Sequence, residues 1–484
     1  MKTLNIKSLG INAVLNAFRS SLSIIFPLIT YPYVYRILNA ESMGKYSYSS
    51  AIVGYFILFA TFGITTYAVR EGAKVKDSPD KLNKIINQLF SINVLFTIFV
   101  FSILWILIIF TGIFKDNNNI IMILSLNIIF TTLSADWINI IFEDYFIMTI
   151  RSLLVYVISI VMIFLLIKSE SDLILYVLIN VFTTMVTCVL NRLYCRKYIK
   201  LRITINLDFT AHFKPLLYFF VNNLSSSIYV NSDIIMLGIL TDDYTVGVYS
   251  AAVKIYSVIK NILSALYSAS IPRLSSYIGA KQFRVFRKTI TNITCVITLF
   301  LLPASIGLIL LSTNIMVLFG GEEFGQAGST LRLLSIALIG SIFGGIITSC
   351  FNIPLGKEKL NMEATIISSL LNIFLNILLI PIYKQNGAAV TTLLSEYFVM
   401  LFCLLNLNNM KRYFNLKKFT IYLMQSIIGS ISICILYFML TQFIDTSTFT
   451  FVILLILLTF FIYPLELVVF KNEYFINIIK RKSL

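Results

Sequence analysis

Apolar runs bounded by short charged or turn-rich segments recur along the chain from residue 11 to residue 470. A helix needs roughly 20 apolar residues to cross a hydrocarbon core. Runs of that length stand at 11 to 36, 45 to 69, 86 to 111, 118 to 136, 149 to 167 and 172 to 191. A second six follow at 216 to 240, 246 to 270, 290 to 312, 329 to 354, 360 to 383 and 387 to 408, and a last pair at 419 to 442 and 448 to 470. The pattern predicts an all-α membrane protein of about fourteen transmembrane helices. Its parts are a six-helix lobe in 1 to 200, a second in 214 to 408, a C-terminal helix pair in 418 to 470 and a tail in 471 to 484.

Composition agrees: 58% of the 484 residues are hydrophobic and only 12% charged, which no water-soluble fold could hide. The formal charge of +16 raises the question of a nucleic-acid partner. The basic residues are spread over alternate loops instead of forming one patch, so nucleic acid is excluded and the membrane itself is the expected surface. One set of loops is rich (Arg70, Lys74, Lys76, Lys81, Lys84; Arg192, Arg196, Lys197, Lys200, Arg202; Arg273, Lys281, Arg284, Arg287, Lys288), and the opposite set is poor. Cytoplasmic loops carry the excess of Lys and Arg, which places both termini in the cytoplasm and requires an even number of spans. Six scattered cysteines without CxxC spacing predict neither a disulfide framework nor a zinc site. The first apolar run is too long for a cleavable signal peptide and is expected to stay in the mature protein.

An internal echo links the two sets of six. ILNAESMGKYSYSSA at 37 to 51 and ILTDDYTVGVYSAA at 239 to 252 share Ile-Leu, an acidic residue and Gly-x-Tyr-Ser, with Gly44, Tyr46 and Ser47 answering Gly247, Tyr249 and Ser250. Six spans per half put both copies in the same outward loop, so the lobes form a parallel repeat about an axis along the membrane normal.

Polar residues inside the spans carry the candidate chemistry. Asn12, Asn16, Arg19 and Ser23 fall on one helical stripe; Asn222, Ser226, Tyr229 and Asp233 repeat the spacing in the seventh span. Ser250, Lys254, Ser257, Asn261, Ser264 and Ser268 share a face of the eighth, and Thr365, Ser369, Asn372 and Asn376 a face of the eleventh. Such stripes either bind helices together or line water. Arg19 and Lys254 favour water, because an ionised group in mid-membrane costs about 2.5 to 3.5 kcal/mol and neither has an acid one turn away. Asp233 could pair with Lys254 or Arg19, or bind a coupling cation. Lys260, about 120° around its helix from the stripe, and Arg332, near the end of its span, are secondary cations. Glu396 is a lone acid in the twelfth span, open to ion coupling or to pairing. These residues predict a hydrated, cation-biased cavity between the two halves that admits an anionic cargo, with Arg19, Lys254, Asn12, Asn16, Asn222 and Asn261 as its contacts.

Enzymatic chemistry is poorly provided for. His212 is the only histidine, which removes His-ligated metal sites, and there is no GxxxxGK[ST] phosphate loop. Asp136, Glu143 and Asp144 cluster in ADWINIIFEDYFIMTIR (135 to 151). With Trp137 and Arg151 this segment reads as a cytoplasmic interfacial hinge or headgroup contact ahead of a catalytic carboxylate pair.

GITTYAVREGAK (63 to 74), the 135 to 151 segment, NSDIIMLGILTDDYTVGVYSAAVKI (231 to 255) and NGAAVTTLLSE (386 to 396) resemble the polysaccharide repeat-unit flippases, the Wzx or RfbX type of the MOP exporter superfamily. The resemblance covers nearly the whole chain, and the stretch holding Asp233 and Lys254 is its most specific part. It implies a MATE-like V of two six-helix lobes with an added helix pair, and alternating access for an undecaprenyl-pyrophosphate-linked oligosaccharide in a bacterial cytoplasmic membrane. No cofactor is implied; coupling to a proton or sodium gradient is left open, and a polysaccharide polymerase is a candidate partner. The rivals are a small-molecule exporter of the same superfamily, which would prefer acidic cavity residues, and a membrane polysaccharide polymerase, which would want a large outer loop.

Overall fold

The computed structural model describes residues 9–407, 410–446 and 449–479; the side chains of 9–14, 17, 115, 229–230, 410–411 and 477–479 lie outside that description. All regular structure among the described residues is helical. The chain divides into two compact units, Met1–Gly238 and Ile239–Leu484. The first holds α1 (Leu9–Thr61), α2 (Ile64–Lys74), α3 (Pro79–Phe110), α4 (Asn118–Ser134), α5 (Trp137–Ile141), α6 (Tyr145–Leu166), α7 (Leu173–Cys195) and nearly all of α8 (Phe209–Leu240). The second holds α9 (Asp243–Ser268), α10 (Ile271–Gly279), α11 (Phe283–Gly320), α12 (Ala327–Ile346), α13 (Glu358–Leu405), α14 (Met410–Tyr413), α15 (Leu416–Leu440), α16 (Phe449–Val469) and α17 (Glu473–Ile479).

Eleven helical segments among the described residues are long and apolar enough to cross a membrane. Two of them, α1 and α13, are hairpins of two spans that fold back at Asn39 (φ 58°) and Lys384 (φ 49°). The 32-residue α8 is diluted by Asn222, Asn223, Ser225 to Ser227 and Asp233 and stands apart from the eleven. Counted this way the spans number fourteen, each where an apolar run predicts one. The second span is shorter than expected, stopping at Thr61 instead of residue 69. Phe62 and Gly63 both take positive φ, and a side chain on Gly63 would meet the Phe220 amide nitrogen at 2.7 Å, so the chain breaks there before α2.

The two copies of the internal echo have the same local structure. Asn39 Oδ1 accepts from the Ser42 amide at 2.9 Å, and Asp242 Oδ1 from the Thr245 amide at 2.8 Å. Each is an N-cap whose side chain satisfies a helix-start donor three residues on. Each stands five residues before the shared glycine, Gly44 or Gly247. Lys384, at the bend of the α13 hairpin, lies 3.6 Å from the Asp242 carboxylate. Burial raises the Asp242 carboxyl, but the Thr245 bonds and Lys384 outweigh it and hold it below the usual range.

Apolar side chains both fill the core and cover the outside, and small polar residues join them between helices. Ile98, Phe99, Ile109, Phe110, Leu370, Phe374, Ile431 and Phe460 stand on exposed faces, while Ser49, Ser125, Thr298, Ser305, Thr330, Ser335, Ser368, Asn376 and Thr391 are buried between helices. That is the arrangement expected where lipid is the solvent and small polar residues let helices approach closely. One apolar cluster in the first unit gathers Phe62, Tyr67, Ile86, Leu89, Trp137, Ile141, Leu216 and Phe220. In the second unit, Leu311 packs with Phe451, Val452 and Leu455, tying α16 to α11. All six cysteines are free.

Candidate functional site

Arg19 is positioned by the packing of α1 on α6. Thr149 Oγ1 donates to the Leu15 carbonyl at 3.1 Å, Phe26 stacks on Tyr156 with ring centres 4.8 Å apart, and the Tyr33 hydroxyl donates to the Ile167 carbonyl at 2.8 Å. The partners are 134 residues apart at both ends, so the first half of α1 and α6 run parallel in constant register. Arg19 sits one turn beyond Leu15, fourteen residues and about 21 Å of helix short of Tyr33. It is half-buried, and its charge reaches the Tyr156 phenol. Among the described residues its guanidinium makes neither a hydrogen bond nor an ion pair. Asn16 and Ser23 on the same stripe are exposed; the side chain of Asn12 lies outside the described residues.

In α8, Asn222 and Ser226 are exposed, and the Ser225 and Ser226 hydroxyls are spent on carbonyls four residues back. Asp233 is buried near Tyr55, whose hydroxyl donates to the Ser227 carbonyl at 3.2 Å. The Tyr229 side chain falls outside the described residues. In α9, Lys254 is half-buried and Asn261 exposed. Asp233 and Lys254 are each engaged in an interaction within the protein.

Glu396 has its counter-ion on α9. Its Oε1 accepts from Lys260 Nζ at 2.7 Å and from the Tyr256 hydroxyl at 3.2 Å, and the ammonium lies 5.5 Å from the centre of the Tyr256 ring. The Glu396 side chain is 8% exposed and that of Lys260 33%. Lys260 is off the α9 stripe because it faces the second half of α13. Arg332 is tied to α11, Nε donating to Ser312 Oγ at 2.8 Å and Nη2 to Thr313 Oγ1 at 3.3 Å. The Asn372 and Asn376 stripe is joined to Thr391 by side-chain hydrogen bonds within the α13 hairpin, so it serves as helix adhesive.

The 135 to 151 segment is held by a polar network. Arg151, 6% exposed, donates from Nη2 to Asp136 Oδ2 at 3.0 Å and from Nη1 to Asn191 Oδ1. Asn139 Nδ2 donates to the same Asn191 oxygen, and the Ser134 hydroxyl to Asp136 Oδ1. Asp144 accepts from the hydroxyls of Tyr194 and Tyr198 at 2.5 and 2.6 Å, Glu143 lies 3.4 Å from Lys76, and Trp137 is buried in the apolar cluster. Burial, reinforced by the Asp144 carboxylate, pushes the Tyr198 phenol well above its usual range.

A family model described as Polysaccharide biosynthesis protein matches residues 10–278, more than half of the chain. The chain belongs to this family. A second model, MatE, matches residues 219–378. Among curated relatives, a protein of Escherichia coli (strain K12) named as an O-antigen transporter is 24% identical over 424 residues, covering 84% of this chain and 98% of its own length. One of the same name from Shigella dysenteriae is 21% identical over 384 residues, covering 78% and 95%. The solved structure titled "Lipid II flippase MurJ, inward closed conformation" superposes with a TM-score of 0.77 at 18% identity, covering 96% of this chain and 100% of that one. At that identity the likeness establishes the fold.

Periodicity alone overlooks three participants: Tyr256 beside Glu396, and the Asn139 and Asn191 pair under Arg151. The available signal is an asparagine inside or beside an otherwise apolar run, which lipid would penalise unless another polar group met it. His212, the only histidine of the sequence, is buried, with Nδ1 3.0 Å from the Tyr67 hydroxyl and Nε2 3.3 Å from Gln88 Oε1.

Proposed function

We propose that this chain is a transporter, not an enzyme, and carries lipid-linked oligosaccharides across a bacterial cytoplasmic membrane from the inner to the outer leaflet. The cargo class is an oligosaccharide repeat unit on undecaprenyl pyrophosphate, destined for capsule, O-antigen or exopolysaccharide. Sugar and pyrophosphate are too polar to enter hydrocarbon, whereas the polyprenyl tail is at home there. The headgroup therefore passes along the polar stripes while the tail stays in lipid, and alternating access moves the opening from one side to the other.

The observation that carries this reading is Arg19. Lys260 is matched by Glu396 and Arg151 by Asp136, but Arg19 lies within a span with no acid or acceptor of the described protein on it. A guanidinium in that position is suited to a pyrophosphate, which it can hold by two parallel N–H donors. Asn16 and Asn222 in the first unit and Lys254 and Asn261 in the second are the further proposed headgroup contacts, and Asp233 positions a cation or binds a coupling ion. Relatives named as O-antigen transporters support the same cargo. A cationic stripe argues against an exporter of cationic drugs, and a polymerase is left without a catalytic outer loop. Coupling to a proton or sodium gradient, association with a polysaccharide polymerase and cytoplasmic placement of both termini belong to the same proposal.

The test is complementation of a strain lacking its own repeat-unit flippase, with membrane levels checked by immunoblot. Arg19→Ala should abolish surface polysaccharide, and Arg19→Lys should retain a part of it because the charge stays but the two-pronged geometry is lost. Normal export by Arg19→Ala at normal protein level would overturn the reading.

A further inference from the structure

The segment joining α7 to α8 carries features that transport of a headgroup does not use. Arg192, in the last turn of α7, lies over the Phe90 ring at 5.1 Å and reaches the Leu201 carbonyl with Nη2 at 3.5 Å, but its Nη1 is buried without a hydrogen-bond partner. Beyond Cys195 the chain turns and returns along the start of α3 as an extended strap. The Arg202 amide donates to Asn87 Oδ1 at 2.9 Å, the Thr204 amide to Ser91 Oγ at 2.8 Å, and Gln88 Nε2 to the Asn206 carbonyl at 3.0 Å. Alternate residues are thus pinned to the helix, and the strap cannot rotate to hide Ile203 and Ile205, which remain 72% and 97% exposed.

Two cavities flank the strap. One, of about 330 Å³, is lined by Arg192, Arg196 and Lys200 with Cys195, Ile199 and Leu201. The other, of about 350 Å³, has Lys84 and Arg202 on its walls. Neither contains a carboxylate. The α7 C-terminus attracts cations, but its half-charge is met several times over by Arg192, Arg196 and Lys200. A buried donor without an acceptor is costly, and the two isoleucines leave apolar surface that no part of the described protein covers. One ligand suits both the cationic lining and the exposed isoleucines: an anion with hydrocarbon attached.

We propose that the α7 to α8 strap is a docking site for an anionic glycerophospholipid, whose phosphodiester enters the Arg192, Arg196 and Lys200 cavity while Ile203 and Ile205 lie among its acyl chains. Basic pockets at the inner face of membrane proteins hold lipid headgroups in this way. The inference concerns a resident lipid and holds whatever the transported cargo is.

The test uses the full-length protein, delipidated in detergent, and fluorescent short-chain phosphatidylglycerol, with phosphatidylcholine as the uncharged comparison. The wild type should prefer phosphatidylglycerol. Arg192→Gln with Arg196→Gln and Lys200→Gln should weaken its binding on the order of a hundredfold, from roughly fivefold per charge, and Lys200→Gln alone about fivefold. Ile203→Ser with Ile205→Ser should weaken it by at least about tenfold. Removing Lys281, Arg284 and Lys288, exposed elsewhere, should leave it within about threefold. Wild-type affinity in the Lys200 single variant overturns the proposal even if the triple variant fails to fold. Equal loss in the Lys281, Arg284 and Lys288 control reduces the effect to net charge and overturns it too. Displacement of the lipid by millimolar inorganic phosphate marks a free-anion pocket and has the same consequence.

Discussion

Replacing Glu396 by Gln preserves shape and removes one charge from the Lys260 pair. At 2.7 Å and an effective dielectric near 20, the attraction between the charges is about 6 kcal/mol, most of which offsets the desolvation of the two groups. Once the carboxylate is neutral, Lys260 keeps its own desolvation without the attraction. Breaking buried pairs this way costs roughly 3 to 5 kcal/mol. The Lys260 side chain keeps 33% exposure and can recover some hydration, so the lower end, about 3 kcal/mol, applies. At about 2 to 4 °C per kcal/mol for a unit of this size, Glu396→Gln should lower Tm by about 6 to 12 °C in detergent-solubilised protein followed by intrinsic fluorescence. Lys260→Met with Glu396→Leu removes both charges and should return Tm to within about 2 °C of the wild type, because an apolar replacement of a buried pair is near neutral. An unchanged Tm for Glu396→Gln, or a double variant as unstable as the single one, refutes the reasoning. The same double variant separates pairing from coupling: restored stability with export lost would assign Glu396 or Lys260 to ion coupling, whereas restored export would leave the pair structural.

Burial holds the His212 imidazole below its ordinary range, against the opposing influence of Asp208 and Glu71. The unfolded chain therefore binds the proton first, near pH 6.5, so the contribution of the Tyr67, His212 and Gln88 contacts is complete above that pH and is lost as pH falls below it. The protection factors against hydrogen exchange of residues 64 to 74, taken relative to the intrinsic rate at each pH, should fall between pH 7.5 and 5.5 in the wild type more than in His212→Gln. Asn39→Ala should cost about 1 to 3 kcal/mol, adding the lost cap to a side chain at φ 58°, while Asn39→Gly should cost only a few tenths; thermal unfolding of the two variants must rank them in that order. Gly387→Ala would place a Cβ 2.4 Å from the Leu379 carbonyl oxygen, backbone that cannot swing aside, and should destabilise the α13 hairpin by about 1 to 3 kcal/mol in the same measurement.

Span placement is legible because hydrocarbon thickness imposes a length that apolar runs must reach, and the runs at 86 to 111 or 419 to 442 contain little else. The repeat at 37 and 239 is legible through Ile-Leu and Gly-x-Tyr-Ser, whereas the shared cap, Asn39 in one copy and Asp242 in the other, shows only in the structure. The break at Phe62 and Gly63 is hidden because what forbids a side chain at Gly63 is α8, more than 150 residues away. Lys260 shows the same limit at the site. Periodicity assigns it to a face of α9, but the face acquires meaning only when the second half of α13 brings Glu396 to it, a contact of |i−j| 136. The 135 to 151 acids are visible as a cluster, and their division of labour is not: Asp136 meets Arg151 from the next helix, Asp144 meets two tyrosines from α7, and Glu143 meets Lys76.

Charges that are matched inside one unit can be kept through a transport cycle without involving cargo. Arg19 is in a different position, because a guanidinium cannot discharge itself by losing its proton as a lysine can. Held within a span, it must meet water or an anion in every state the protein visits, at a cost of about 2.5 to 3.5 kcal/mol wherever it meets neither. Asn16 and Ser23 on its stripe are exposed as well. On the proposed function, a pyrophosphate arriving at Arg19 would replace hydration without breaking an ion pair of the described residues, so the energy of the contact would be available for drawing the headgroup out of the interface. The same reasoning fixes the order of sensitivity: a neutral residue at position 19 should harm transport more than stability, whereas a neutral residue at 396 should harm stability first.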